Sequence, residues 1–264
     1  MLMKRLFLLL LCLPVFALNA QNLTTEFKAK HALEAEKFVG VDEFQNMYYI
    51  NNNILYKKTP KKTFSYSNIE LGTLSMVNVQ NPFKVILFYA DFNAAIILDN
   101  NLNELTQTMD FTKETKVNNV SFVTSASQNN LWLYADDNKL HLYNYQMMKE
   151  IFQTQAITFY NRSFIPENIV STYKNIWILS KNGVLEFNEY GIFVKGHNIK
   201  DADQIFPFQK GFIYTINGSY FYNDLIESVP MELDYEGSVL STYVNSSNIF
   251  LYDGNHVYEY QIKR

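Results

Sequence analysis

The chain is poor in cysteine and in basic residues, and both shortages limit what the protein can be. Cys12 is the one cysteine among 264 residues, and 22 Lys and Arg stand against 26 Asp and Glu, for a formal net charge of −4. Without a basic patch to neutralise phosphates, the composition argues against a nucleic acid partner. Beyond the first twenty residues no apolar run approaches the roughly 20 residues of a membrane helix. We therefore predict no transmembrane segment in the mature chain.

Residues 1–20 have the pattern of a secretory signal peptide. Two positive charges precede a short apolar run, and the small residue Ala20 closes it. We predict cleavage after Ala20, which leaves residues 21–264 as one mature domain without cysteine. A lipid anchor on Cys12 is the alternative, and the bulky Leu11 before that cysteine argues against it. An exported domain without disulfides must be held together by an ordinary apolar core.

The sequence lacks the common motifs of catalytic and metal sites. It contains no H-E-x-x-H pair, no G-x-S-x-G turn and no Gly-rich phosphate loop. The histidines are scattered without the spacing of zinc ligands; they are His31, His141, His197 and His256. We assign no catalytic, cofactor-binding or metal-ligating residue, and we expect that the protein is not an enzyme.

Two acidic pairs remain as candidates for other chemistry. Asp136-Asp137 and the pair Asp201 and Asp203 would suit calcium or a glycosidase. A calcium loop needs several more oxygen ligands at fixed spacing, and a glycosidase needs two carboxylates facing each other across a cleft. Solvated turns are the favoured interpretation of both pairs.

Some apolar residues also have two interpretations. Trp132 and Trp177 occupy matching positions in the repeats described next, which favours a core role over a sugar-stacking platform. Phe206-Pro207-Phe208 and Met147-Met148 are equally compatible with exposed anchors for a partner and with buried inner-strand residues.

A recurring hairpin is the main structural signal. Aromatic residues make up 16% of the chain and suit pleated, half-buried strands, while Asn-Gly and Asp-Gly suit tight turns between strands. Six copies of an apolar strand, a polar turn and a second strand align on Tyr48, Ile86, Trp132, Trp177, Ile213 and Phe250. The steps between them are 38, 46, 45, 36 and 37 residues. A period near 40 with hairpins inside each unit predicts an all-β fold, a single β-propeller. A β-sandwich with fortuitous spacing is the alternative.

The two ends of the chain indicate how the ring closes. The last unit, residues 234–263, holds three strand-like runs, whereas a blade usually has four. Residues 22–32 precede the first repeat and can supply the missing outer strand, although residues 26–37 also permit a short amphipathic helix. We predict six blades closed by this N-terminal strand, with seven as the alternative if residues 99–128 hide another hairpin.

Three segments resemble a known family. They are residues 81–104, the N-N-[IL]-W-[LIV] hairpin at residues 129–133 with an approximate copy at 174–178, and Gly40-Val41-Asp42. Together they are similar to periplasmic propeller-like proteins of bacteria that use the type IX secretion pathway, over most of residues 34–262. The resemblance implies an accessory subunit of the outer-membrane translocon, of the kind that plugs the periplasmic opening of its large β-barrel. The matching motifs belong to strands, so no binding residue is carried over.

We therefore predict a non-catalytic periplasmic protein, peripheral to the outer membrane, whose partner is a large β-barrel translocon protein. It binds that partner and plugs its periplasmic opening. The alternative is a secreted propeller that binds or acts on carbohydrate.

Overall fold

The computed structural model describes residues 22–263 and shows a ring of six four-stranded blades. The predicted signal peptide, residues 1–20 with Cys12, lies outside the described residues. Both faces of inner strands such as Val85–Tyr89 and Ala94–Leu98 are buried, as expected for strands packed between two neighbouring blades. The prediction of a β-propeller, rather than a sandwich, is confirmed.

Blades 1 to 3 follow the chain in order, each from its innermost strand outwards. Blade 1 contains β2 (Lys37–Val41), β3 (Met47–Asn51), β4 (Ile54–Lys58) and β5 (Thr63–Tyr66). Blade 2 contains β6 (Met76–Asn78), β7 (Val85–Tyr89), β8 (Ala94–Leu98) and β9 (Met109–Asp110). Blade 3 contains β10 (Val120–Ser125), β11 (Asn130–Ala135), β12 (Leu140–Asn144) and β13 (Lys149–Gln153).

Blades 4 to 6 complete the ring, and the last one takes its outer strand from the start of the chain. Blade 4 contains β14 (Asn168–Ser171), β15 (Asn175–Ser180), β16 (Gly183–Asn188) and β17 (Phe193–His197). Blade 5 contains β18 (Gln204–Phe208), β19 (Gly211–Ile216), β20 (Ser219–Asn223) and β21 (Ser228–Glu232). Blade 6 contains β22 (Ser241–Val244), β23 (Asn248–Tyr252), β24 (His256–Lys263) and β1 (Leu23–Ala32). Short helices cover Ala90–Phe92, Phe111–Glu114 (α1) and Ile157–Tyr160 (α2).

The closing strand β1 confirms the prediction drawn from the incomplete last unit. It pairs antiparallel with β24 from Thr24↔Lys263 to Ala32↔His256, and its first residues pair parallel with β21. Residues 26–37 are therefore strand and connection rather than helix, because pairing with β24 outweighs the short amphipathic pattern. Residues 99–128 contribute β9, α1 and the whole of β10, so there is no seventh blade in the described chain.

The core lies between the blades. Six apolar clusters occupy the six junctions, including the one between blades 6 and 1, where Phe38 and Val41 meet Phe250 and Tyr252. No blade buries its own faces, so stability requires that the ring close. The hairpin turns follow the sequence signals, since Asn52 and Asn53 have φ of 50° and 61° in the turn of blade 1.

The ring has two faces, which we name by their loops. The terminal face carries the loops between the first and second and between the third and fourth strands of each blade, together with the described chain ends. The hairpin face carries the turns between the second and third strands and the connections between blades. Every blade runs in the same sense, so all loops of one kind lie on one face.

Candidate functional site

The central channel is a large cavity of the ring. The innermost strands β2, β6, β10, β14, β18 and β22 surround a volume of about 690 Å³. Its wall mixes apolar side chains such as Val77 and Val170 with hydroxyl and amide groups such as Thr124 and Asn168. Small-molecule sites have volumes of about 300–1,000 Å³, so the channel has the size of a ligand site.

Hydroxyl groups in the channel wall join neighbouring blades. The Thr124 and Ser171 hydroxyls are 2.9 Å apart, and the Ser171 hydroxyl donates to the Ser125 carbonyl oxygen at 2.6 Å. Asn78 Nδ2 donates to Thr124 Oγ1 at 3.5 Å. These contacts tie blades 2, 3 and 4 together, and none of them brings a histidine or carboxylate to activate a hydroxyl.

The Gly40-Val41-Asp42 segment closes the ring and shapes a loop. A Cβ at Gly40 would lie 2.6 Å from Cδ2 of Tyr243, so glycine allows blade 6 to pack closely on blade 1. Burial raises the pKa of Tyr243, and the nearby Asp42 charge adds to that rise.

The Asp42 carboxylate organises the loop that follows it. It accepts hydrogen bonds from the backbone N–H groups of Phe44 and Asn46, both at 2.9 Å, and from the Tyr48 hydroxyl at 3.0 Å. Lys57 Nζ lies 3.4 Å from the same carboxylate, and both side chains are buried. Burial, followed by the charge and hydrogen bond of Asp42, raises the pKa of Tyr48. This aspartate is a structural residue with its bonding capacity filled.

The histidines lie apart in the ring. His141 is buried between Asp137 and Glu150, at 2.9 and 3.0 Å. In blade 4, His197 is buried with its Nε2 2.8 Å from a carboxylate oxygen of Glu186. In blade 6, His31 Nε2 lies 3.5 Å from a carboxylate oxygen of Glu259, and His256 Nδ1 lies 3.8 Å from one of Asp253. Within residues 22–263, no three His, Cys, Asp or Glu side chains are grouped to hold a metal ion.

The acidic pairs occupy turns of the hairpin face. Burial by itself raises the pKa of Asp137, but the hydrogen bond and charge of His141 outweigh it, with help from Lys139, and the pKa falls below its usual value. Asp203 accepts a hydrogen bond from the Asn217 backbone N–H at 2.9 Å, and Asp201 has a φ of 56°. The turn interpretation therefore describes their contacts.

The apolar candidates divide between core and surface. Trp132 and Trp177 are both buried, as the core interpretation predicts. Phe206, Pro207 and Phe208 form part of β18, where they line the channel or pack in the core, so the inner-strand interpretation holds for them. Met147 is exposed on the terminal face, whereas Met148 packs against the cluster between blades 2 and 3.

Exposed apolar side chains are most numerous on the terminal face. Eight of them lie in its loops: Phe44, Phe83, Leu105, Met147, Tyr173, Tyr190, Ile192 and Ile226. Phe44 and Phe83 are 54% and 52% exposed and touch edge to face, with ring centroids 5.8 Å apart. Asn81 Nδ2 donates to the Tyr173 hydroxyl at 3.2 Å, so loops of blades 2 and 4 meet beside the channel mouth. Apart from Met147, sequence reasoning missed these residues; for the four aromatic ones, a ring in an otherwise polar loop is the signal that marks them.

Comparison with known proteins shows the fold. No known protein family and no curated protein matches the sequence. Among solved structures, virginiamycin B lyase from Staphylococcus aureus is similar, with 11% identity, a TM-score of 0.59 and coverage of 84% of this chain and 79% of that one. BamB from Moraxella catarrhalis has 8% identity, a TM-score of 0.55 and coverage of 91% and 98%.

A component of the type IX secretion system also occurs among the similar structures. PorZ from Porphyromonas gingivalis has 11% identity and a TM-score of 0.47, with coverage of 88% of this chain and 37% of that one. Such a low score carries no argument about function. Within residues 22–263, the chain contains no helix with the length and apolarity to span a bilayer.

Proposed function

We propose that this protein is a non-catalytic, periplasmic binding subunit that docks its terminal face on an outer-membrane protein-secretion translocon and plugs the periplasmic opening. The observation that carries the proposal is the larger number of exposed apolar side chains on the terminal face, with eight in its loops against five in those of the hairpin face. Isolated apolar residues are common on protein surfaces, but groups of them, especially aromatic ones, are typical of interaction sites.

The distribution of charged residues also distinguishes the two faces and also favours the terminal face as the docking surface. The loops of the hairpin face contain thirteen Asp or Glu and six Lys or Arg, whereas those of the terminal face contain seven and five. One of the seven, Asp42, is already paired with Lys57. Desolvating charges is costly, so the nearly balanced terminal face is better suited to be covered by a partner. The acidic hairpin face is suited to remain in water.

The resemblance of the sequence to accessory subunits of the type IX pathway supplies the choice of partner. A rigid ring can cover an aqueous opening by shape complementarity, without any chemical step. The buried junctions between all six blades give this ring that rigidity.

Affinity capture from outer membranes tests the docking. A tag inserted at Asn217-Gly218 leaves the terminal face free, because this turn is on the hairpin face and Gly218 has open space around it. The wild-type protein should retain a large β-barrel protein. The double variant Phe44→Ser and Phe83→Ser should retain at least about 10-fold less of it, because each aromatic residue at the centre of an interface contributes about 2 kcal/mol or more to the binding free energy.

The matched control replaces two exposed residues of the hairpin face, Ile69→Ser and Phe159→Ser. It should retain the partner as the wild type does. Equal loss in both double variants would refute docking through the terminal face. Retention on glycan columns without any membrane partner would favour the carbohydrate-binding alternative. In cells, deletion should make the outer membrane leakier to large dyes, and unchanged permeability would overturn the plugging role.

A further inference from the structure

A groove crosses the terminal face between blades 2 and 3. Its inner part is a pocket of about 230 Å³ that reaches the channel mouth, and its outer part is an open depression of about 520 Å³ near the rim. Both parts are lined by Lys84, Ile97 and Tyr145, so they are adjacent and separated only by these side chains. The groove is thus an elongated site with two adjoining parts.

The inner pocket has an aliphatic floor. Ile86, Ile97, Ala126 and Leu131 line it, and each is almost completely buried. Apolar pockets of this kind gain free energy when an apolar group displaces or excludes water. The volume is below the roughly 300 Å³ of the smallest typical small-molecule sites. One large apolar side chain is the ligand group that this pocket fits.

The groove has a positive charge and no negative one. Neither of its two parts is lined by Asp or Glu, and Lys84 is the one charged residue in their walls. Lys84 Nζ donates to the Gln128 carbonyl oxygen at 3.1 Å and to Asn129 Oδ1 at 3.3 Å. It also lies 5.6 Å from the centre of the Tyr145 ring. An ammonium group has three hydrogens, so one donor remains for a carboxylate in the groove.

Side-chain amides at the inner rim can bind a peptide backbone. Gln80 Oε1 accepts from Ser125 Oγ at 3.3 Å, while its NH₂ group has no hydrogen-bond partner among residues 22–263. The Gln128 side chain is exposed and likewise has no partner in the described part of the chain. An amide group offers both donors and acceptors, as a peptide bond does.

We infer that this groove binds an extended segment of a partner protein, with one large apolar side chain in the inner pocket, a second in the outer depression and a carboxylate against Lys84. The inference rests on the proposed role as a protein-binding subunit and adds the chemistry that the partner presents. A phosphate ligand would need more than one partly engaged cation. A sugar would leave its hydroxyl groups against an aliphatic floor.

Selection of random heptapeptides displayed on phage tests the inference. The bait is the exported protein purified from the periplasm. We expect enriched peptides that share two large apolar residues and an acidic one. Gln80→Trp and Gln107→Trp obstruct the inner and outer parts at exposed positions, and each should reduce recovery of these peptides at least 10-fold. Gln155→Trp, exposed on the hairpin face, is the matched control and should recover them fully.

Lys84→Gln tests the charge. It should keep the apolar preference while the preference for Asp or Glu over Asn or Gln falls at least 3-fold. Three results would overturn the inference. They are equal recovery of the peptides by Gln80→Trp and the wild type, a consensus of basic residues in the enriched peptides, and no enrichment of any peptide. Docking is scored separately by membrane capture. If Gln80→Trp still captures the translocon and no peptide is enriched, the groove does not bind a partner segment, but docking on the translocon stands. If peptides bind the groove and no translocon is captured, the peptide-binding inference stands and the proposed docking fails.

Discussion

The substitution Gly40→Ala should weaken the ring at its closure. The added Cβ would lie 2.6–2.9 Å from three ring carbons of Tyr243, a distance that real Cβ atoms do not tolerate. Tyr243 packs near Phe250, with ring centroids 6.4 Å apart, and lines the central channel, so its ring must shift against that neighbour or into the channel. Gly40 does not have a positive φ, so the effect is steric rather than conformational. Overpacking of this kind costs about 1–3 kcal/mol.

The measurement is thermal unfolding followed by the fluorescence of Trp132 and Trp177, which lie in blades 3 and 4, away from the closure. For a chain of this length each kcal/mol lowers Tm by about 2–4 °C. Gly196→Ala is the matched control, because its Cβ would meet only Leu185 Cδ2, at 3.5 Å. We expect the control to range from no change to a gain of about 1 kcal/mol, since alanine reduces the entropy of the unfolded chain.

A double-mutant cycle decides whether Tyr243 is the cause. In a Tyr243→Leu background, Gly40→Ala should lose most of its cost, with a coupling free energy of about 1 kcal/mol or more. If Gly40→Ala is as harmless as Gly196→Ala in the wild-type background, the blades are not packed as closely as the structure indicates. A full cost that persists without the tyrosine ring would also refute the reasoning.

Two further predictions concern buried and turn charges. Lys57→Met should lower the free energy of unfolding by about 3 kcal/mol, measured in urea, because the buried Asp42 carboxylate loses its counter-charge; a loss below about 1 kcal/mol would show that the hydrogen bonds of Asp42 suffice alone. Hydrogen bonds from the Glu227 and Ile226 backbone N–H groups lower the pKa of Asp224 in the folded protein. The ionised Asp224 therefore stabilises the fold fully above the unfolded pKa near 3.8, and this stabilisation is lost as the pH falls through the lower folded pKa. Asp224→Asn should therefore reduce the acid dependence of the urea midpoint between about pH 4 and pH 2, and an unchanged slope would contradict this.

The sequence was sufficient for the architecture because each blade repeats the same local signals. Residues such as Trp132 and Trp177 stand at equivalent strand positions, and turns such as Asn217-Gly218 tolerate positive φ. The closing strand was predictable for a different reason, since the last unit was one strand short. These features depend on local pattern and counting, so no long-range contact had to be known.

The surfaces could not be predicted in the same way. Phe44 and Phe83 lie 39 positions apart in loops without a repeating pattern, and only the ring brings them into contact. Phe206 and Phe208 have the composition of an exposed anchor, yet β18 places them at the channel and in the core. A strand beside a central channel has one face towards the core and one towards the cavity, so hydrophobicity alone does not tell which residues a partner can reach.

The Gly40-Val41-Asp42 segment connects the fold to the proposed docking face. Gly40 permits the contact between the first and last blades, and two residues later Asp42 accepts the backbone N–H of Phe44. That hydrogen bond fixes the loop that presents Phe44 beside Phe83. Lys57 pairs with the other oxygen of this carboxylate, so a buried ion pair helps to position an exposed aromatic pair. A rigid loop loses less entropy when it binds, so the residues that stabilise the ring also prepare its surface for a partner.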